Sequence, residues 1–193
     1  MKFNGKEVGE YLSNLSEVLS KIDLLIVEEA IEAIMGAYEK EASIYIMGNG
    51  GSASTASHIV CDFNKGISVF LDKKFRFVSL VDSIAMITAI SNDYSYEDIF
   101  KIQMEGRLNS NDIVIAISGS GNSKNVLKAV EYAKSKGNKV ISLTGYDGGK
   151  LKRLSDIPIH ANIMDMQKSE DAHMIILHAM AQIIARRMGH PLC

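Results

Sequence analysis

SIYIMGNGGSASTASHIVCDF, residues 43–63, holds a short apolar run, an abrupt glycine-rich break and then residues with helical spacing. It reads as strand, glycine loop, helix. DIVIAISGSGNSKNVLKAVEYAKSKG, residues 112–137, repeats the design: the run 112–118 meets GSGNS, and Val126, Leu127, Val130 and Ala133 then form one helical face that ends at Gly137. Strands this apolar, each leading into a helix, belong in a parallel sheet covered on both faces.

Working outward, FRFVSLV (75–81), KVISLTG (139–145) and IPIHANI (157–163) supply three more strands. SIAMITAIS is a short helix, NDYS a turn, YEDIFKIQMEGRL a helix, and EDAHMIILHAMAQIIARRM the closing helix, with a lysine-bearing helical stub before the fifth strand. Residues 8–38 read as helix through Leu12, Leu15, Leu19, Ile22, Leu25 and Ile26, with Asp23 placed to break or recap it. The expected fold is α/β, a doubly wound three-layer sandwich with a five-stranded parallel sheet in flavodoxin-like order 2-1-3-4-5, preceded by an N-terminal helix. That order sets the loops after the first and third strands at the point where the chain reverses across the sheet. We expect one domain over 1–193, with a helical segment at 1–40 and the α/β core at 43–188.

Composition narrows the functions. A chain of 193 residues that is 47% hydrophobic has enough apolar surface for one substantial core. Its formal charge of −2 is mixed along the chain, with no basic stripe to neutralise nucleic acid. Cys61 and Cys193 are far apart and form no Cys-x-x-Cys pair, which fits a reducing compartment. Glu7 and Glu10 interrupt the place where a signal peptide needs apolar residues, and there is no apolar run of about 18 residues. We expect a cytoplasmic protein that does not enter a membrane.

The two loops carry the chemistry. In GSGNS the glycines let backbone approach a ligand, while Ser118, Ser120 and Ser123 set hydroxyls beside a helix N-terminus, a site suited to a phosphate monoester. GNGGSAS has the same design, with Asn49 able to donate to a sugar hydroxyl and Ser52 expected as helix N-cap. Gly48-x-Gly50-x-x-Ala53 matches the permissive dinucleotide pattern, but no acid follows at the end of the second strand; Asp72 precedes it. Neither loop continues into Lys-Ser/Thr, so the P-loop reading fails as well, and no nucleotide cofactor is expected. His58 and Asp62, four apart, share a helix face and suit a metal or a proton transfer, and on the last helix spacing pairs Glu170 with His173.

GNGGSASTASHIVCD, SNDYSYEDIF, ISGSGNSKNVLKA, SLTGYDGGKL and EDAHMIILH, in that order, resemble the sugar isomerase (SIS) superfamily and specifically the bacterial sedoheptulose-7-phosphate (phosphoheptose) isomerases, over residues 43–184. The resemblance implies an aldose–ketose isomerase acting on sedoheptulose 7-phosphate to give D-glycero-D-manno-heptose 7-phosphate for bacterial surface heptose. It implies one zinc ion held at His58, Asp62, Glu170 and His178, with Asp62 as base and His178 as acid. Asp62 stands where the family has Glu, and Glu170 where it has Gln. Substrate contacts fall by the same carry-over on Asn49, Gly50, Gly51, Ser52, Asn92, Asp93, Ser118, Gly119, Ser120, Ser123 and Gln167, the last where the family often has Asp. It also implies a homotetramer with sites lined by more than one subunit. A continuous helix separates Glu170 from His178 by roughly 12 Å of rise, so one ion meets both only through a bent helix start or a second subunit. Two other readings stay open: a non-catalytic SIS module that binds a sugar phosphate or a replication initiator, and an isomerase of a shorter sugar phosphate.

Overall fold

The computed structural model describes residues 5–190; Cys193 lies outside them. Five parallel strands form one sheet in the order β2-β1-β3-β4-β5. They are β1 (Ile44–Met47), β2 (Phe77–Ser79), β3 (Ile113–Ser118), β4 (Lys139–Thr144) and β5 (Ile157–His160). The flavodoxin-like order and the parallel sheet expected from the apolar runs are both present.

Two helices precede the sheet. Helix α1 (Lys6–Ser20) stops before Asp23, whose carboxylate accepts from the backbone N–H of Leu25 and Ile26 and so starts α2 (Leu24–Glu39). The remaining helices are α3 (Gly51–Cys61), α4 (Ile84–Asp93), α5 (Lys101–Met104), α6 (Lys124–Ser135), α7 (Gly149–Leu154) and α8 (Met166–Arg187). YEDIFKIQMEGRL is not one helix: it folds as a 3-10 turn, Tyr96–Asp98, and the single turn α5. Asp98 explains the break, because its carboxylate accepts from Ser95 Oγ at 2.7 Å and pairs with Lys128 Nζ at 2.7 Å, tying the turn to α6. Helix α8 starts four residues earlier than the apolar pattern suggests, where Asp165 accepts from the backbone N–H of Lys168 as N-cap.

Strand alternation sorts the core into two layers. Ile44, Ile46, Ile113, Ile115, Ile141 and Leu143 face α2, α3 and α8 through Ile31, Ile34, Ile59, Ile176 and Leu177, and α1 packs outside them on α8. Tyr45, Met47, Val114, Ala116 and Val140 face the other way, onto Ile90, Phe100, Met104, Val126, Val130 and Leu151. Each fully buried Ile or Phe contributes about 1.5–3 kcal/mol.

Register then positions the site. Met47 pairs with Ala116, so the loops after β1 and β3 leave the sheet side by side. The buried Asp112 holds this register from the other end by accepting from the backbone N–H of Ser43 and of Asn109, each at 2.8 Å. No helix among the described residues is long and apolar enough to cross a membrane.

Candidate active site

Helix α3 carries one functional group at each end. At its start the N-cap is Gly50, not Ser52, and no side chain of the N-cap residue closes the first turn. Ser52 lies buried inside that turn. The sequence pattern put the cap two residues late because Gly50, with a positive φ of 55°, makes the turn that a serine cap was expected to make. Helix α6 begins the same way: its N-cap, Ser123, makes no side-chain capping bond, and Ser123 Oγ instead meets Ser118 Oγ at 3.1 Å. The two helix starts therefore bring their remaining free N–H groups and positive dipole ends to one place, with the Val126 N–H of α6 already taken by Asn125 Oδ1.

Between them is a cavity of ≈ 280 Å³ lined by Asn49, Gly51, Ser118, Ser120, Ser123 and Glu170, among others. Gly50, Ser52 and Gly119 line it too. The Glu170 carboxylate lies so close to Gly51 that a Cβ there would approach its Oε2 to 2.3 Å. A larger residue at 51 would therefore push the Glu170 carboxylate aside, and that carboxylate brings a negative charge to the first turn of α3. Met166 also lines the cavity, whereas Gln167 is exposed and outside its lining. Asn92 and Asp93 end α4, both exposed, with Asn92 Nδ2 donating to Asp93 Oδ1 at 2.8 Å.

At the other end of α3 three side chains converge. His58 Nε2 lies 2.9 Å from His178 Nε2, and Asp62 Oδ2 is 3.3 Å from the first and 3.5 Å from the second. Asp62 is held there by its neighbours: past it the helix widens into π-helical turns, Asp62–Ile67. Phe63 stacks on Phe77 with ring centroids 4.1 Å apart, and Asn64 exchanges hydrogen bonds with the backbone of Phe77 at 2.8 and 2.9 Å. Such π turns are frequent at functional sites.

The donor set fits a metal ion. Two imidazole nitrogens facing each other at 2.9 Å cannot both be protonated, and the carboxylate beside them favours a cation at the shared point. Zinc bonds of about 2.0–2.1 Å in a tetrahedron set ligand atoms roughly 3.3 Å apart, close to the three separations here. Among the described residues this is the group of three or more His, Cys, Asp or Glu that meets in this way, and Glu170 is not in it. Glu170 and His173 do not act as a pair either: His173 is fully buried, and neither ring nitrogen has a hydrogen-bond partner among the described residues.

A further open groove of ≈ 500 Å³ lies along α3, past Ala53, Ser54, Ser57 and His58, and His58 lies about 10 Å of helical rise from Gly51. Gln182 lines the cavity around His58, Asp62 and His178, and its position four residues after His178 was a readable signal that the sequence analysis missed. Asn125 and Tyr96 were also missed, because both reach Asn49 only once the loops have met.

The SIS domain family model matches residues 10–145. The chain is 37% identical over 183 residues to a phosphoheptose isomerase of Helicobacter pylori, covering 94% of this chain and 95% of the relative. It is 34% identical over 164 residues to a phosphoheptose isomerase of Clostridium acetobutylicum, covering 84% and 82%. Among solved structures it superposes on phosphoheptose isomerase from Francisella tularensis with a TM-score of 0.88 at 26% identity, covering 96% of this chain and all of the other. For the enzyme from Neisseria gonorrhoeae the TM-score is 0.86 at 27% identity, with coverage of 94% and 98%.

Proposed function

The chain belongs to the SIS domain family, among the phosphoheptose isomerases, and on that premise we propose that it interconverts sedoheptulose 7-phosphate and D-glycero-D-manno-heptose 7-phosphate, for bacterial surface heptose biosynthesis. It is an aldose–ketose isomerase acting on a sugar phosphate. The observation that carries the reading is the pairing, on one helix, of a phosphate-type cavity at the start with the His58, Asp62 and His178 group toward the end. The choice of a seven-carbon sugar rests on the named relatives, since the loops report the phosphate and not the chain length.

Moving a carbonyl between adjacent carbons requires a base to take the proton beside the carbonyl, an acid for the oxygen proton, and positive charge for the enediolate. The phosphate binds the N–H groups at the starts of α3 and α6 together with Ser52, Ser118, Ser120 and Ser123. Asn49 meets the sugar, Gly50, Gly51 and Gly119 line the same cavity, and Asn92, Asp93 and Gln167, outside that lining, are proposed as contacts on the family resemblance alone. Asp62 is the base: its contacts to both imidazoles run through Oδ2, and Oδ1 is the atom assigned to the substrate proton. His178 is proposed as the group that shuttles the oxygen proton of the sugar. A divalent ion held by His58, Asp62 and His178, with zinc proposed from the imidazole and carboxylate donors, would supply the positive charge opposite the forming oxyanion.

Within one chain the proposed set is three residues; Glu170 joins it only in an assembly that brings a second copy to the site. We propose a homotetramer of that kind in the cytoplasm, and the exposed Val8, Leu12, Leu24 and Leu25 on α1 and α2 are apolar surface for it to cover. The test is incubation of metal-analysed protein with sedoheptulose 7-phosphate in deuterated water, with added zinc or with chelator, followed by proton NMR. An aldoheptose 7-phosphate bearing deuterium at carbon 2, formed with zinc and lost with chelator, is expected. An unchanged ketose in the presence of zinc would overturn the reading.

A further inference from the structure

Asn125 and Tyr96 both bond to Asn49, at the seam between the two loops. The backbone N–H of Val126 can only donate, and it points to Asn125 Oδ1 at 2.9 Å. That single fact orients the amide of Asn125, so its Nδ2 faces Asn49 and donates to Asn49 Oδ1 at 2.9 Å. Asn49 must then return Nδ2 to Asn125 Oδ1, also at 2.9 Å. The hydroxyl of Tyr96 donates to the same Asn49 Oδ1 at 2.8 Å. The oxygen of Asn49 is therefore saturated by two donors, and one hydrogen of its Nδ2 remains.

Asn49 lines the phosphate cavity and also the adjoining open one, lined by Tyr96, Glu97, Ser123, Lys124 and Asn125. Asn125 is almost wholly buried, whereas Tyr96 is more than half exposed. The turn bearing Tyr96 is braced on α6 by Glu97 with Lys124, at 3.0 Å, and by Asp98 with Lys128.

We propose that Asn125 and Tyr96 are positioning residues that lock the amide of Asn49 with its N–H outward, making Asn49 a dedicated hydrogen-bond donor to an oxygen of the sugar chain next to the phosphate. A flipped amide would present its oxygen and accept from a hydroxyl instead, and the saturated Oδ1 forbids that. The inference rests on the sugar-phosphate reading and adds to it how the site distinguishes a sugar phosphate from phosphate alone.

The test measures dissociation constants by calorimetry for two probes, sedoheptulose 7-phosphate and inorganic phosphate, with the parent, Tyr96→Phe, Asn125→Ala, and Tyr96→Phe combined with Asn49→Ala. Each single substitution at Tyr96 or Asn125 is expected to weaken the sugar phosphate roughly 3–10-fold, the size of one lost hydrogen bond, and to move inorganic phosphate less than about twofold. In the Asn49→Ala background Tyr96→Phe should add less than about twofold, since it has lost the group it acts through. Equal weakening of both probes, no weakening, or an undiminished Tyr96→Phe effect without Asn49 would overturn the proposal, as would a parent that binds both probes equally. If Asn125→Ala fails to fold, Tyr96→Phe carries the test alone. A parent that binds the heptulose phosphate selectively yet never isomerises it would sink the isomerase reading and leave this comparison in force.

Discussion

Asp62 shows how far a single position can be read. Its spacing from His58 was visible as i, i+4 on one helix, and the structure brings the two to 3.3 Å. Asp62→Asn keeps the size of the side chain but removes the base, so turnover should fall by about 100-fold or more while the dissociation constant for the sugar phosphate changes by no more than a few-fold. A variant as fast as the parent would remove Asp62 from the reaction. His173 was read as a possible partner of Glu170; its position on the inner face of α8 makes it a core residue instead. Burial lowers its pKa from 6.5 to about 4, opposed in part by the nearby backbone of Thr144. The unfolded chain thus takes up the proton first as pH falls. Stability contributed by the neutral ring is complete above about pH 6.5 and is lost as pH falls toward 4, to the extent of about 3 kcal/mol. His173→Leu should lack this component, so urea denaturation from pH 7 to pH 4 should show the parent losing about 3 kcal/mol more than the variant. Parallel losses would show that His173 ionises no differently when folded.

Among the elements, the loop between β3 and α6 is the least tolerant of change. Gly121 sits at a φ of +62°, and a Cβ there would come within 2.0 Å of the Gly148 carbonyl oxygen, which is backbone and cannot swing away. The same loop is tied to the segment after β4 by the N–H of Leu151 donating to Gly121 O at 2.9 Å and that of Gly145 donating to Gly119 O at 2.8 Å. Gly121→Ala should cost roughly 2 kcal/mol or more, read as a fall in the denaturation midpoint, and should weaken inorganic phosphate as well as sugar phosphate. An alanine variant with parental stability would mean the loop can repack. The glycine turns and the strands were legible because apolar runs and turn residues act locally, whereas the strand order comes from the fold type and not from any local run. The break of YEDIFKIQMEGRL was not, since Ser95 and Lys128 hold Asp98 and Lys128 lies on a different helix.

For the whole molecule, α1 and α2 present apolar side chains to solvent, with Leu24 74% and Leu25 81% exposed, more than a lone surface needs. If they are covered in the proposed tetramer, Leu12→Glu with Leu25→Glu should shift sedimentation to smaller species while helix content by circular dichroism is kept. Unchanged sedimentation would place the contact elsewhere. The amino-acid sequence by itself determined the α/β class, the parallel sheet, the two glycine-serine loops and the His58–Asp62 pair. These follow from periodicity, turn chemistry and spacing within one element, which act over a few residues, whereas the 2-1-3-4-5 order comes from the flavodoxin-like architecture and is seen only in the folded sheet. Only the tertiary structure decided that His178 closes on that pair while Glu170 stands at Gly51, and that Asn125 and Tyr96 hold the amide of Asn49. Those meetings depend on the register of Met47 beside Ala116 and on where α8 crosses α3, distances that no local pattern encodes.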